Sequence, residues 1–193
     1  LSIGVTHMPK SMNQNLLQEY QKEWNDRFAL ESIEIRDILG SSVKDIQHIG
    51  STSIPKMIAK PIIDIAVLVE SISDIPFFVE KLESLGYSYK PDMSSVERIF
   101  LRKGNPVGYH LSIACPLHTF WVRNITFRDY LRKHPELIEE YKKLKVENIK
   151  ITPKEDFNDL SRSKIYNKGK GDFVQKVLDL AKSDIDSHAP VSS

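Results

Sequence analysis

The sequence predicts an α/β fold in which a mixed β-sheet of four or five strands is flanked by helices and followed by a helical C-terminal region. Apolar residues recur at helical spacing in residues 13–39 and again in residues 117–181. Between them, residues 43–115 contain short apolar, β-branched and aromatic runs bounded by turn residues, which is typical of strands. We expect residues 1–193 to form a single domain, because the chain is long enough to bury one ordinary core.

The first zone is expected to form one long or two shorter amphipathic helices. Its apolar residues are three or four positions apart, with charged residues between them, so they would share one helical face. Gly40 and Ser41 then end the zone, as a glycine after the last periodic residue commonly does. The apolar face would consist of Leu16, Leu17, Tyr20, Trp24, Phe28, Ile35, Ile38 and Leu39.

The middle zone is predicted to contain strands around one helix. The run "VKDIQHI" at 43–49 is a short strand, and "PIIDIAVLV" at 61–69 is a buried strand that begins with a proline. Residues 73–86 have a capping residue, an early proline and a closing glycine, as a helix does. Two further strands, at 98–103 and 107–115, are joined through a "GNP" turn. These strands are expected to form the mixed sheet.

The C-terminal zone is predicted to be mostly helical. Residues 127–149 follow a period of 3.6 residues with a break at Pro135, and residues 171–181 form a last amphipathic helix. The lysine-rich run "YKKLK" at 141–145 is interpreted as a solvated helix face. The tail at 182–193 is predicted to be disordered, because it is polar and terminal.

Composition and charge narrow the classes of function. With 27 Lys and Arg residues against 26 Asp and Glu residues, the formal net charge is +1, which indicates no general attraction to nucleic acid or to a membrane. The single cysteine, Cys115, excludes an intramolecular disulfide and a Cys-rich zinc site. No apolar run reaches membrane-spanning length, and "LSIGVTHMPK" lacks the apolar centre of a signal peptide. We therefore expect a cytoplasmic protein with a small-molecule partner; nothing indicates an oligomeric state.

An aspartate in the middle of a buried strand is the most unusual feature of the sequence. A strand places alternate side chains on opposite faces, so Ile63, Ile65 and Val67 would face the core, and Asp64 and Ala66 the other side. A charge inside an apolar run is unfavourable unless it is paired. Asp64 therefore needs a partner, either a ligand in a cleft or another side chain.

The turn before this strand is rich in groups that bind anions. Gly50 allows a tight turn, Ser51 and Thr52 supply hydroxyl groups, and Lys56 and Lys60 add positive charge. Such a turn can hold phosphate oxygens. We therefore predict that Gly50, Ser51, Thr52 and Lys60 contact a phosphorylated ligand.

The spacing between the Gly-Ser pair at 50–51 and Asp64 resembles the nucleotidyltransferase fold of DNA polymerase beta and the antibiotic nucleotidyltransferases. In that superfamily a Gly-Ser turn contacts the triphosphate, two acids two residues apart bind divalent metals, and a third acid comes from a later strand. Here Ala66 stands at the second acidic position, and the later strand offers His110 and Ser112. The resemblance implies Mg²⁺ or Mn²⁺ bound by Asp64, with one acid present where the superfamily has three.

Five blocks occur along the chain in this order: "GSTSIPKMIAKPIIDI", "RIFLRK", "YHLSIACP", "FRDYLRKHPELIEEYKKLK" and "YNKGKGDFV". They resemble the successive blocks of the GrpB family, and this closer resemblance covers most of the chain and implies the nucleotidyltransferase fold. Some relatives are fused to dephospho-coenzyme A kinase, which implies nucleotide or coenzyme chemistry. Relatives usually read His-Leu-His where this chain reads His110-Leu111-Ser112, so a role for paired histidines is weakened. The family's motif residues correspond to Gly50, Ser51, Lys60, Pro61, Asp64, Arg98, His110, Phe127, Arg128, Asp129, Tyr130, Tyr141, Lys145, Tyr166 and Lys170.

Asp64 and His110 are the predicted catalytic residues, because an acid and a histidine on adjacent strands would form a general base or a single-metal site. Arg98 and Arg128 complete the predicted ligand-binding set as contacts for anionic groups. Structural alternatives remain open. Asp64 could accept hydrogen bonds from the turn at 51–52 or pair with either arginine, and His110 could be a hydrogen-bonded core residue.

Three functions remain under consideration. A nucleotidyltransferase-like enzyme would use Ser51 and Lys60 for phosphate and Asp64 for a metal, with an acid such as Glu97 completing the site. A non-catalytic sensor of a nucleotide or phosphorylated ligand would bind without a metal, and the missing acids favour it. An interaction protein would use the motif only to tie two strands together, and loss of Asp64 would then lower its stability.

Overall fold

The structure, a computed structural model, describes residues 16–160 and 163–188. Its strands are β1 (Val43–Ile49), β2 (Ile63–Val69), β3 (Tyr87–Tyr89), β4 (Ile99–Lys103) and β5 (Tyr109–Ala114). Its α-helices are α1 (Glu23–Leu39), α2 (Ile75–Glu83), α3 (Thr119–Lys133), α4 (Pro135–Ile151) and α5 (Lys170–His188). The predicted α/β class, with a mixed sheet and a helical C-terminal region, is confirmed.

The sheet has the strand order β1-β2-β5-β4-β3. The central pair, β2 and β5, is parallel, and the other neighbouring strands are antiparallel. In the parallel pair Asp64 lies opposite His110, and Ala66 lies opposite Ser112. These four polar or small side chains therefore occupy neighbouring positions of one sheet face.

The opposite face of the sheet carries the main core. Ile63, Ile65 and Val67 of β2 are almost completely buried there, as the alternation in the sequence predicts. Helix α1 covers them with Trp24 and Ile35, and α2 packs beside it. Burying large apolar side chains stabilises a fold by roughly 1.5–3 kcal/mol each, so this layer holds β2 firmly in place.

Helices α3, α4 and α5 form a second cluster that attaches to the segment after β1. Ile54 and Met57 of that segment are completely buried against Phe127 of α3, Tyr141 of α4 and Phe173 of α5. The rings of Tyr141 and Phe173 stack with centroids 4.6 Å apart. The break that Pro135 predicts separates α3 from α4. This packing places the C-terminal helices beside the Asp64 face of the sheet.

The helix predicted from residue 13 begins later, at Glu23. Gln18 instead pairs with Ala59 through two backbone hydrogen bonds of 2.8 and 2.9 Å, which hold the chain before α1 in an extended form. Residues 13–15 lie outside the described residues. Local helical spacing was therefore overridden by strand-like pairing with a distant segment.

The middle zone contains one strand that the sequence pattern did not reveal. Strand β3 has three residues and pairs with β4 at the edge of the sheet. It follows directly from α2, which begins after Asp74, whose carboxylate accepts a hydrogen bond from the Phe77 amide at 3.1 Å. A three-residue strand is too short for an alternation of side chains to be recognised.

The prediction of disorder from residue 182 is wrong for residues 182–188, because α5 continues to His188. Residues 189–193 lie outside the described residues. The polar composition of this segment concealed a regular continuation of the preceding helix. Within the described ranges, no helix combines the length and the apolar character needed to cross a membrane.

Candidate functional site

The floor of the candidate site is formed by β2 and β5. Their parallel register brings Asp64 beside His110, and Oδ1 of the carboxylate lies 3.0 Å from Nδ1 of the imidazole. The two residues predicted to be catalytic are thus brought together. When Nδ1 donates its proton to Asp64, Nε2 of His110 is left as an acceptor, which is the state that a general base needs.

The carboxyl group of Asp64 is held in its ionised form. Burial opposes ionisation, but the hydrogen bond from His110 and the electrostatic influence of the basic side chains His110, Lys60 and His48 outweigh it, so the pKa of Asp64 lies below its ordinary value. The side chain is still 35% exposed. A ligand in the adjoining space can therefore reach the carboxylate.

The turn after β1 fits closely against this carboxylate because residue 50 is a glycine. Gly50 has a φ of +68°, in the left-handed region, and a β-carbon built there would overlap Oδ2 of Asp64. The chain continues as a short 3-10 turn, Ser51–Ser53. The Ser53 hydroxyl donates to the Gly50 carbonyl at 2.6 Å and fixes this turn. The turn therefore presents Ser51 to the space beside Asp64.

The C-terminal helices contribute a lysine that the sequence interpretation placed in solvent. Lys145 of α4 is only 2% exposed, and its Nζ donates to Oγ of Ser51 at 2.6 Å and to the Ile58 carbonyl at 2.8 Å. The interpretation of residues 141–145 as a solvated helix face is therefore wrong for Lys145. Helix α4 packs on the segment after β1, so one side of its lysine-rich run points inward.

Two further lysines lie close to the ring of a buried tyrosine, Tyr166. Nζ of Lys170, at the start of α5, is 4.4 Å from the centroid of the Tyr166 ring, and Nζ of Lys60 is 5.6 Å from it. Lysines near an aromatic face gain a cation–π attraction. Together with Lys145 they form what we call the lysine cluster: Lys60, Lys145 and Lys170.

The lysine cluster concentrates positive charge in a partly desolvated space. Burial, together with the positive charge of Lys170, lowers the pKa of Lys145 well below its ordinary value. Burial and the charge of Lys60 lower the pKa of Lys170 to about 8, and burial also lowers the pKa of Lys60. Asp64 opposes all three shifts, and it is the carboxylate that lines the same cavity as the three lysines. The cluster therefore brings three basic nitrogens and one carboxylate to the same space.

Two cavities open beside these groups and share Ser51, Asp64 and Lys170 in their linings. The smaller cavity has a volume of about 200 Å³ and contains the lysine cluster. The larger cavity has a volume of about 390 Å³ and is bounded by aromatic and polar side chains. The smaller cavity is lined by Ser51, Thr52, Ala59, Lys60, Ile62, Asp64, His110, Lys145, Tyr166, Asn167 and Lys170. The larger is lined by Gly50, Ser51, Asp64, Glu97, Phe120, Arg123, Asn124, Phe127, Tyr141, Lys170 and Val174.

Arg98 lies near the predicted site but already has protein partners. Its guanidinium donates to Oγ of Ser112 at 2.9 Å and packs over the rings of Phe100 and Phe120, 4.5 and 5.1 Å from their centroids. Glu97, the acid considered for completing the site, lines the larger cavity and accepts a hydrogen bond from Thr119 at 2.7 Å. Arg98 therefore supports the strand end, and Glu97 faces the cleft.

Arg128 and Thr52 serve mainly to hold the turn. The buried guanidinium of Arg128 donates to Oε1 of Gln47 at 2.8 Å and to the His48 carbonyl at 2.9 Å, and it is not among the residues that line the two cavities. The Thr52 hydroxyl donates to the Ile62 carbonyl at 3.2 Å, although the residue lines the smaller cavity. The donors of Arg128 are thus directed to the protein.

The donor set does not fit a two-metal site. Asp64 is the single carboxylate on the floor of the cleft, and Ala66 and Ser112 occupy the neighbouring positions of the same sheet face. In the part of the chain that the structure describes, no three His, Cys, Asp or Glu side chains come together to hold a metal ion. Two-metal transfer needs carboxylates that bridge both ions. The protein's own residues therefore do not supply the expected Mg²⁺ or Mn²⁺ arrangement.

A buried histidine, His48, contacts the turn through Thr52. His48 is 5% exposed, stacks on Phe28 with ring centroids 4.9 Å apart, and lies 3.0 Å from the Thr52 hydroxyl through Nε2. Burial lowers the pKa of His48 to about 4; Asp64 opposes this shift, and the nearby charge of Arg132 reinforces it. The folded protein therefore resists protonation of this ring.

This resistance makes stability depend on pH. In the unfolded chain His48 titrates near the ordinary histidine pKa of 6.5, so between about pH 6.5 and pH 4 the unfolded state binds the proton and the folded state does not. The free energy of unfolding should fall by about 2–3 kcal/mol across this window and level off below it. Urea unfolding of the wild type and His48→Gln at pH 7, 5.5 and 4 measures this effect. An equal fall in both proteins would contradict the assignment to His48.

Comparison with known proteins places the chain in a family. The family profile described as "GrpB protein" matches residues 15–180. The chain belongs to the GrpB family. The protein named "UPF0157 protein YqkA" of Bacillus subtilis is 36% identical over 75% of this chain, and this chain spans 42% of that relative's length. The "Glutamate-rich protein GrpB" of Alkalihalophilus pseudofirmus is 33% identical over 84% of this chain and 93% of its own.

Solved structures agree with the GrpB assignment. The crystal structure of GrpB from Enterococcus faecalis has a TM-score of 0.71 and 31% identity, and the match covers 88% of this chain and 98% of that one. The structure of Cid1 in complex with the UTP analogue UMPNPP is more distant. It has a TM-score of 0.46 and 18% identity over 71% of this chain and 42% of that one. This second likeness is too distant to bear on activity.

Lys145, Tyr166 and Lys170 were not selected as ligand-binding residues from the sequence of this GrpB protein, yet they line the smaller cavity. All three fall within blocks that carry the family resemblance. Their spacing in the sequence does not indicate that they line one cavity, because α4 and α5 reach the cleft only through tertiary packing. The sequence did offer one signal for Lys145: its spacing places it on the same helical face as the apolar residues of α4.

Proposed function

We propose that this protein binds a phosphorylated small molecule, a nucleotide or a related coenzyme, in the cleft beside Asp64. The observation that carries the proposal is the convergence of the lysine cluster on a single carboxylate in a cavity of about 200 Å³. Phosphate groups carry the charge and the acceptor oxygens that buried ammonium groups require. Ser51 adds a hydroxyl at the same wall.

The larger cavity supports the nucleotide part of the proposal. It adjoins the lysine cluster and is bounded by the half-buried ring of Phe120 and by the amide of Asn124. An aromatic ring and an amide group are what a planar, hydrogen-bonding base needs for stacking and recognition. A ligand with a phosphate in the smaller cavity and a ring in the larger one would use both spaces.

The paired side chains of Asp64 and His110 support an enzymatic function. Asp64 orients the imidazole through Nδ1, so Nε2 of His110 is available to take a proton from a hydroxyl group or from water. The missing acids at Ala66 and Ser112 favour the alternative, a sensor that binds the same ligand without transferring a group. Both functions require the same phosphate site, so binding is the property to test first.

Removal of one cluster lysine should weaken phosphate binding by about 10–100-fold, because a hydrogen bond to a charged group contributes roughly 1.5–3 kcal/mol. We expect this for Lys170→Gln, measured by isothermal calorimetry with ATP, UTP, coenzyme A, pyrophosphate and glucose 1-phosphate. The matched control is Lys182→Gln, an exposed lysine on the same helix. Equal affinities in the two variants would contradict the proposed site.

The same titrations distinguish the three functions. Binding that needs Mg²⁺ or Mn²⁺ and disappears in Asp64→Asn would favour the nucleotidyltransferase-like enzyme. Binding that is equal with and without a metal would favour the sensor. No binding of any probe, together with a lower melting temperature of Asp64→Asn, would favour the interaction protein. A ligand at about a hundred times its dissociation constant should stabilise the fold by roughly 2.7 kcal/mol, so a thermal-shift screen can select the probe.

A further inference from the structure

Ser51 and Lys145 form a pair whose geometry goes beyond holding a ligand. The 2.6 Å distance between Nζ and Oγ is within hydrogen-bond range, and the second hydrogen bond of Nζ, to the Ile58 carbonyl at 2.8 Å, fixes the amine in place. Lys145 is buried, whereas Ser51 is half-buried and lines both cavities. The cleft therefore presents a serine hydroxyl that has a fixed amine behind it.

The surroundings of Lys145 favour the neutral amine. Its Nζ lies 4.7 Å from the centroid of the Tyr141 ring, and the charged groups that face it are Lys60, Lys170 and Asp64. Burial and the two neighbouring lysines lower its pKa, while Asp64 alone opposes them. A lysine that is desolvated and close to other cations is the kind that acts as a base in enzymes. The ammonium form of Lys145 donates to Oγ of Ser51, whereas the neutral amine can keep its hydrogen bond to the Ile58 carbonyl and accept the hydroxyl proton of Ser51 with its lone pair.

We propose that Ser51 is a nucleophile that Lys145 activates, and that it accepts a phosphoryl group from a phosphate ester or phosphoanhydride bound in the smaller cavity. The inference rests on the proposed function, since it needs a phosphorylated ligand at the lysine cluster. Serine paired with lysine is a known alternative to serine paired with histidine. It would give the cleft a reaction that does not need the missing acids.

The chemical step balances with groups that are present. Oγ of Ser51 forms a bond to phosphorus while Nζ of Lys145 takes its proton, and the bond from phosphorus to the leaving oxygen breaks with its electron pair. The Lys145 ammonium then protonates the leaving oxygen. Water attacks the phosphoserine in a second step, which releases phosphate and restores the hydroxyl. Lys60 and Lys170 line the same cavity and offset the charge on the phosphoryl oxygens.

A fluorophosphonate probe tests the nucleophile directly, because an activated serine displaces its fluoride and keeps the phosphonyl group. Intact-protein mass spectrometry should show one label on the wild type, mapped to Ser51, and none on Ser51→Ala. The matched control is Ser84→Ala, since the Ser84 hydroxyl also makes a 2.6 Å hydrogen bond, but to the Lys81 carbonyl. The control should label like the wild type. Labelling elsewhere, or no label on the wild type, overturns the proposal.

Two variants of Lys145 separate a base from a fixed charge. Lys145→Met should slow labelling on the order of 100-fold, the typical contribution of a general base. Lys145→Arg should slow it similarly, because a guanidinium keeps its proton. Labelling of Lys145→Arg at the wild-type rate would overturn the role of Lys145 as a base. If melting curves show that neither variant folds, the pH profile of wild-type labelling decides. The labelling rate should rise with pH and reach a plateau before about pH 10, the ordinary pKa of lysine. A labelling rate that still rises above pH 10 would overturn the role of Lys145 as a base.

Calorimetry with ATP and with pyrophosphate separates this inference from the proposed function. Ser51→Ala should still bind the probe that the wild type binds, because the lysine cluster is intact. Binding to the wild type without any label on Ser51 overturns the nucleophile and leaves the phosphate site standing. A label on Ser51 without binding of any phosphorylated probe overturns the phosphate site and supports an activated serine.

Discussion

Replacement of Gly50 by alanine is expected to lower the free energy of unfolding by about 3–5 kcal/mol. Two effects add. A residue other than glycine at a φ of +68° is strained by roughly 1–3 kcal/mol, and the new methyl group would overlap the Asp64 carboxylate. Forcing extra atoms into a packed site adds about 1–3 kcal/mol. Urea unfolding followed by circular dichroism measures the change.

Gly86 provides the matched control for this substitution. It also has a positive φ, of +83°, but nothing lies within 4 Å of a β-carbon built there. Gly86→Ala should therefore show only the backbone part of the effect, and the difference between the two variants isolates the contact with Asp64. If Gly86→Ala and Gly50→Ala lose equal stability, the close fit of the turn against the carboxylate is contradicted.

Replacement of Arg128 by alanine is expected to lower stability by a similar amount, about 3–5 kcal/mol. The guanidinium donates hydrogen bonds to Gln47 and to the His48 carbonyl, which connect α3 to the end of β1. It also donates to the carboxylate of Asp129. Hydrogen bonds from a charged donor contribute roughly 1.5–3 kcal/mol each, and removing a buried donor leaves its acceptors unpaired. Thermal and urea unfolding measure the loss.

The control is Lys133→Ala, an exposed basic residue on the same helix, which should change stability by less than about 0.5 kcal/mol. The two proteins also distinguish the structural role of Arg128 from the ligand contact predicted from the sequence. A loss of phosphate affinity in Arg128→Ala without a loss of stability would show that the guanidinium serves the ligand.

The strand pattern was the most informative part of the sequence. The alternation around Asp64 predicted which side chains of β2 face the core, and the structure confirms that Ile63, Ile65 and Val67 do. The prediction that Asp64 meets His110 depended on β2 and β5 being adjacent, which the pattern of either strand alone cannot reveal. Their parallel pairing is a property of the whole sheet.

The helical part of the site could not be predicted in the same way. The run at 141–145 is rich in lysine, and such a run usually faces water. Lys145 is buried because the C-terminal helices pack against Ile54 and Met57 in the segment after β1. This packing joins segments that are far apart in the sequence. The length of α5 was missed for a different reason, since its last residues are polar and only the continuing backbone hydrogen bonds define them.

Because the pKa of Lys170 is low, the net charge of the cleft changes with pH near pH 8. At about pH 8 this side chain is protonated only part of the time, because burial and the charge of Lys60 disfavour the ammonium form. An anion placed beside it would favour that form and raise its pKa. Association with a phosphate would then draw a proton from the buffer. Under the proposed function the cleft would therefore take up an anion and a proton together, and its affinity for phosphate would weaken as the pH rises above about 8.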